Sequence, residues 1–223
     1  MQQRKSKKIL IYFFLLLLVG SISNNNLKDL KFKNISNINI IGLDIKEKTI
    51  LLKKIKNLNL DNIFLINRNH LINELESSSL VEKYFIFKKY PSSIDVNIEK
   101  TKFLAKINKN GKIFYLGSNG KLIKNKLSNS QLPFIFGNPD IIEFFSVKNI
   151  IDKSKISYSE IKNLYFFPSK RWDLELKNNT VIKLPNENTD LALKSAIEFL
   201  HNNELKDNKI IDARIKNQII LND

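Results

Sequence analysis

The stretch from Tyr84 to Ala105, YFIFKKYPSSIDVNIEKTKFLA, restricts this chain's fold more than any other. Tyr84 to Phe87 is an unbroken run of aromatic and β-branched residues, and Tyr90-Pro91-Ser92 is turn chemistry. Ser93 to Glu99 then alternates strictly, with Ile94, Val96 and Ile98 on one face. The spacing predicts an antiparallel hairpin. It closes a small module upstream and opens a larger one downstream.

Upstream, Ile38 to Gly42 reads as a short strand ending in a turn. A helix follows, with Asp44 as its cap, Glu47 three residues on as in a capping box, and Leu51, Ile55 and Leu58 recurring on one face. A second helix fits Arg68 to Ser77, with Leu71 and Leu75 on one side, and the serines Ser77-Ser78-Ser79 stop it. The order is therefore strand, helix, helix, strand, strand. Downstream, the signals are mostly strand and turn. Asn110-Gly111 between Ala105–Ile107 and Lys112–Leu116 is a strong hairpin signal, and Ser118-Asn119-Gly120 is a further turn. Leu132-Pro133 to Gly137 reads as a loop, and Asp140 to Ile151 as a helix, with strand as the alternative. Arg171 to Lys177 alternates charged and apolar side chains, Asn178-Asn179 turns, and Val181 to Leu184 returns before Pro185. A helix over Thr189 to His201 buries Leu193, Ala196, Ile197 and Leu200. The chain closes with the strands Ile210–Ile215 and Gln218–Leu221 about a short turn.

At the N-terminus, Arg4, Lys5, Lys7 and Lys8 precede the uncharged run Ile9 to Ser23, and positive residues on that side hold it in the cytoplasm. The run would be roughly 22 Å long as a helix, against a hydrocarbon core of about 30 Å. Its Ile, Leu, Phe and Val residues favour insertion by about 3 to 6 kcal/mol, and Lys7 and Lys8 can snorkel. A signal anchor is the preferred reading. A signal peptide cleaved after Ser21-Ile22-Ser23 and a buried soluble helix are its rivals.

Composition narrows the function classes. With no cysteine and two histidines among 223 residues, thiolate nucleophiles, disulfides and the usual zinc sites are excluded. The 43% apolar content suffices for a packed core, and the +15 net charge is spread with the many Ile and Asn rather than gathered in a basic patch. There is no Gly-rich phosphate loop, no GxSxG elbow and no HExxH. His70 and His201 read as solvated or capping residues, Glu74 and Glu76 are two apart on a helix and do not converge, and Trp172 reads as core. Asp212 and Arg214 lie on the other face from Ile211 and Ala213, as a surface pair.

Several blocks resemble the FtsQ/DivIB family of bacterial division proteins. These are Pro91, Glu99-Lys100 and Ala105 at the module junction, the passage Leu132-Pro133 to Gly137, the Arg171-Trp172 strand, Leu184-Pro185, and the terminal hairpin with Asp212, an apolar residue and Arg214. The basic tail is shorter than is usual there. Ala213 stands where a larger apolar residue is commoner, and Ile215 where an aromatic is. The resemblance implies an α+β chain with a basic tail over 1–8, a transmembrane helix over 9–23, a linker over 24–34, a POTRA domain (β-α-α-β-β) over 35–100 and a β-rich domain with a few helices over 101–223. It further implies a non-enzymatic divisome scaffold without cofactor, metal, nucleic acid or small-molecule substrate. Such a protein sits in the inner membrane at the septum with its domains in the periplasm and binds FtsB/FtsL-type partners. A POTRA-bearing transport or assembly component is the alternative, though no run of barrel strands is present. A partner strand added to the C-terminal β edge would meet Ile211, Ala213, Ile215, Asn217, Gln218, Ile219 and Leu221.

Overall fold

The computed structural model of the protein describes residues 3–22, 34–58, 60, 62–64, 66–124, 131–202 and 209–222. The linker expected over 24–34 therefore lies outside the described residues except for Asn34. Two compact units form, Met1–Ile72 with Phe85–Asn97, and Asn73–Tyr84 with Ile98–Asp223.

The first unit contains helix α1 (Gln3–Ile22), strand β1 (Asn37–Ile41) and helix α2 (Ile45–Lys56). Helix α3 (Arg68–Ser77) and the hairpin strands β2 (Val81–Lys89) and β3 (Ser93–Lys100) contribute parts to each unit. The sheet runs β1-β3-β2, with β1 parallel to β3 and Asn37 opposite Ser93. Ile40, Ile55, Ile63, Leu71, Ile94 and Val96 are 0–1% exposed and form its apolar interior. Asp44 is the N-cap of α2, but its side chain makes no capping bond to the helix. The capping box is found instead at α4, described below.

Helix α1 stands where the apolar run predicts a helix. Every apolar side chain from Ile9 to Val19 is exposed, between 43% and 71%. Among the described residues no helix is long and apolar enough to cross a membrane. The reason is the short uncharged part of α1, Ile9 to Ile22, about 21 Å against a hydrocarbon core of about 30 Å.

The second unit is built on a mixed sheet of nine strands, in the order β12-β11-β10-β9-β8-β7-β4-β5-β6. These are β4 (Phe103–Lys109), β5 (Lys112–Gly117), β6 (Leu122–Ile123), β7 (Phe134–Phe136), β8 (Ile161–Phe166), β9 (Trp172–Leu176), β10 (Val181–Lys183), β11 (Ile210–Asp212) and β12 (Ile220–Asn222). Asn110 and Gly111, with φ of 53° and 74°, form the β4–β5 turn, which needs positive φ at both positions. Phe134–Phe136, expected as loop, is instead an interior strand parallel to both β4 and β8. Helices α4 (Ile141–Lys153) and α5 (Thr189–Asn202) cover one face of the sheet. The α4 start carries a complete capping box. The Asp140 carboxylate accepts the Glu143 N–H at 2.7 Å, and the Glu143 side chain accepts the Asp140 N–H at 3.0 Å.

Phe144, Val147 and Ile151 of α4 and Leu193, Ala196 and Ile197 of α5 meet Ile135, Leu164, Leu174, Ile182 and Ile211 from five adjacent strands. Burying each such large side chain contributes about 1.5–3 kcal/mol. Trp172 joins this cluster at 5% exposure and lies 4.8 Å from Phe166, centroid to centroid.

The other face of this sheet is lined by Phe136, stacked on Tyr165 at 4.9 Å, and by a hydrogen-bonded glutamate. Tyr165 Oη and Asn163 Nδ2 donate to Glu175 Oε2 at 2.6 and 2.8 Å, and Lys162 Nζ lies 2.8 Å from Oε1. Burial raises the Glu175 carboxyl, but the bonds from Asn163, Lys162 and Tyr165 and the charge of Lys162 outweigh that. It sits at about 2, against 4.5 for an unperturbed glutamate. A folded value below the unfolded one stabilises the fold above the unfolded pKa, and this contribution is lost as pH falls from about 4.5 toward about 2. Thermal melts of Glu175→Gln should therefore show a shallower decline than the parent across that window. Parallel declines would show that the network does not couple to folding.

Candidate functional site

The C-terminal hairpin forms the exposed end of the large sheet. β11 runs parallel to β10, where the Val181 N–H donates to the Lys209 carbonyl at 2.9 Å and the Ala213 N–H to the Lys183 carbonyl at 3.0 Å. Alternation along the strand then turns the backbone groups of Ile210 and Asp212 toward β12, opposite Asn222 and Ile220. Leu221, opposite Ile211, directs its N–H and C=O away from the sheet. Among the described residues no strand lies beyond β12.

The strand expected over Ile210–Ile215 ends early, at Asp212. The Asp212 carboxylate accepts the Arg214 backbone N–H at 3.1 Å and its Nε at 2.8 and 3.0 Å, so Arg214 leaves the ladder. The hydrogen bonds and charge of Arg214 hold the Asp212 carboxyl below the usual range, although burial opposes them. The reading of these two as a surface pair is corrected, because Asp212 is only 7% exposed. Asn217, at φ 57°, completes the turn, and the Gln218 N–H donates to the Ile215 carbonyl at 3.1 Å. This turn chemistry shortens the second strand to Ile220–Asn222.

The seven residues singled out from sequence separate by environment. Ile211 and Ala213 are buried in the core at 0% and 4% exposure. Ile219 is half-buried against that core, whereas Asn217, Gln218, Ile215 and Leu221 are exposed. Ile215, at 53% exposed, and Ile219 also line a groove of about 280 Å³ with Pro185, Leu191, Ala192 and Arg214.

One neighbour was missed in the sequence because its strand reads as plain alternation. Asp173 on β9 is 5% exposed, and Arg171 Nε lies 3.7 Å from its Oδ1. Burial pushes the Asp173 carboxyl up against the pull of Arg171, Lys183 and Arg214, with Asp212 adding to the rise. Asp173 Oδ1 and Arg171 Nε are buried and make no hydrogen bond among the described residues. His70 and His201 are exposed, and no group of three or more His, Cys, Asp or Glu side chains among the described residues could hold a metal. What the arrangement offers is a short, apolar, open strand edge beside a groove and a charged row.

Residues 99–214 match the family model described as cell division protein FtsQ/DivIB, C-terminal. The match ends before β12. The cell division protein FtsQ of Rickettsia bellii is 25% identical over 193 residues, spanning 85% of this chain and 72% of that protein. FtsQ of Rickettsia prowazekii is 26% identical over 181 residues, 78% of this chain and 66% of the relative. The cell division protein DivIB of Staphylococcus aureus is 25% identical over 138 residues, 61% of this chain and 31% of the relative. Among solved structures, the major extracytoplasmic domain of DivIB from Geobacillus stearothermophilus is similar over 46% of this chain and 96% of its own, at 14% identity and a TM-score of 0.33, too slight to bear on the fold. With the family model matching just over half of its length, this chain belongs to the FtsQ/DivIB family of cell division proteins.

Proposed function

We propose that the chain is a non-enzymatic scaffold of the divisome, linking early and late division proteins by taking up a strand of an FtsB/FtsL-type partner at β12. The observation that supports this reading is the open edge of the large sheet, where Leu221 turns its backbone groups outward and Ile220 and Leu221 are 37% and 39% exposed. An open edge that exposes isoleucine and leucine is an aggregation hazard unless something covers it, and a partner strand would complete the ladder. In this reading Ile211 and Ala213 hold the hairpin on the core, while Ile215, Asn217, Gln218, Ile219 and Leu221 meet the partner.

The same reading places α1 in the inner membrane as a single-pass anchor, with the basic tail in the cytoplasm and a POTRA domain and β domain, meeting near residue 100, in the periplasm at the septum. Snorkelling of Lys7 and Lys8 and local thinning of the bilayer make up the shortfall of about 9 Å in α1. The test is capture of the partner by the full chain and by a chain lacking Asn217–Asp223. Loss of capture by the shortened chain, at unchanged cooperative melting, is expected. Undiminished capture would move the contact to another surface.

A further inference from the structure

At the turn of the β2–β3 hairpin Tyr90 meets Phe64, from the segment before α3, and the scaffold role leaves this exposed aromatic pair unused. Phe64 and Tyr90 are 55% and 62% exposed and lie 5.2 Å apart, centroid to centroid. Beside them, Lys88 Nζ donates to the Ile63 carbonyl at 2.7 Å, and Lys89 pairs with Asp95 at 2.5 Å.

This end of the sheet is also where the chain enters. Asn34 bridges to Asn62, the Ser36 N–H donates to the Ser92 carbonyl at 2.9 Å, and Asn37 lies opposite Ser93. Only eleven residues, Ser23 to Lys33, separate that entry point from the end of α1. Fully extended they span at most about 40 Å. If α1 is embedded, the Tyr90 turn belongs to the end of the unit tethered nearest the bilayer.

From these placements we propose that Phe64 and Tyr90 form a docking tip that rests in the headgroup region of the same membrane. The inference rests on the reading of α1 as an anchor. Tyrosine, an aromatic side chain with a polar handle, favours that interface. A tip tethered this closely needs little intrinsic affinity, because the linker makes the second contact intramolecular.

The experiment uses the full chain in vesicles of phosphatidylethanolamine and phosphatidylglycerol, with and without lipids brominated near the carbonyl. Tryptophan is introduced as Tyr90→Trp, as Phe64→Trp, or as Ile45→Trp, the last at an 86% exposed site beyond the opposite end of β1. Trp172, 5% exposed, provides the common background, read from the unsubstituted chain. The expected result is a blue shift and loss of emission at positions 90 and 64 but not at 45. A chain that floats with the vesicles yet shows no quenching at 90 or 64 overturns the docking tip and leaves the anchor standing. Equal quenching at 45 also overturns it, as general adsorption. A chain that does not float overturns the anchor reading and the tip with it.

Discussion

Gly137→Ala should lower the melting temperature of the large-sheet unit by roughly 4–20 °C. Gly137 follows β7 at φ 93°, and a Cβ there would lie 2.2 Å from the Phe166 carbonyl oxygen. That contact is with backbone of the adjacent strand, so relief requires β7 and β8 to separate. Left-handed backbone costs about 1–2 kcal/mol for an L-residue and overpacking about 1–3 more. At about 2–4 °C per kcal/mol the sum gives the stated range. Differential scanning calorimetry reads it directly, and a shift under about 2 °C would show that the strands part freely.

This glycine also shows where the sequence was legible. Elements with local chemistry of their own stand where the sequence places them. The Asn110-Gly111 hairpin turns because Asn and Gly tolerate positive φ, and α4 and α5 start at Asp140 and Thr189 with their apolar stripes inward. Phe134–Phe136 was not legible. Three residues between Pro133 and Gly137 are too short to show a period, and what makes them a strand is pairing with β4 and β8, which is remote in sequence. The nine-strand order escapes for the same reason, since its parallel pairings, among them β10 with β11, leave no local mark.

At the candidate site the alternation of Ile211 and Ala213 fixed which residues share a face but not which face is covered. Packing in the core beneath α5 settles that, and it buries both side chains. The early end of β11 depends on one side chain, Asp212, competing with the ladder for the Arg214 N–H. Asp173 looked like any charged residue of an alternating strand. Its burial follows from the crowding of β8, β10 and the Arg171 side chain around it.

The scaffold reading depends on a contact made through the backbone of one strand, and two proline variants isolate it. At Leu221 a proline removes an N–H directed away from the sheet, so the hairpin should survive. At Ile220 it removes an N–H directed at Asp212, so the hairpin should open. A partner strand laid on β12 of Leu221→Pro would bury a carbonyl with no donor, which costs about 1–3 kcal/mol, roughly 5- to 150-fold in affinity. The decisive measurement is the dissociation constant of an FtsB-type partner segment for the unsubstituted chain and for Leu221→Pro, with the melting curve of each recorded beside it. The account predicts an affinity loss in that range at an unchanged melting temperature. Equal affinities, with both proteins folded, would contradict it.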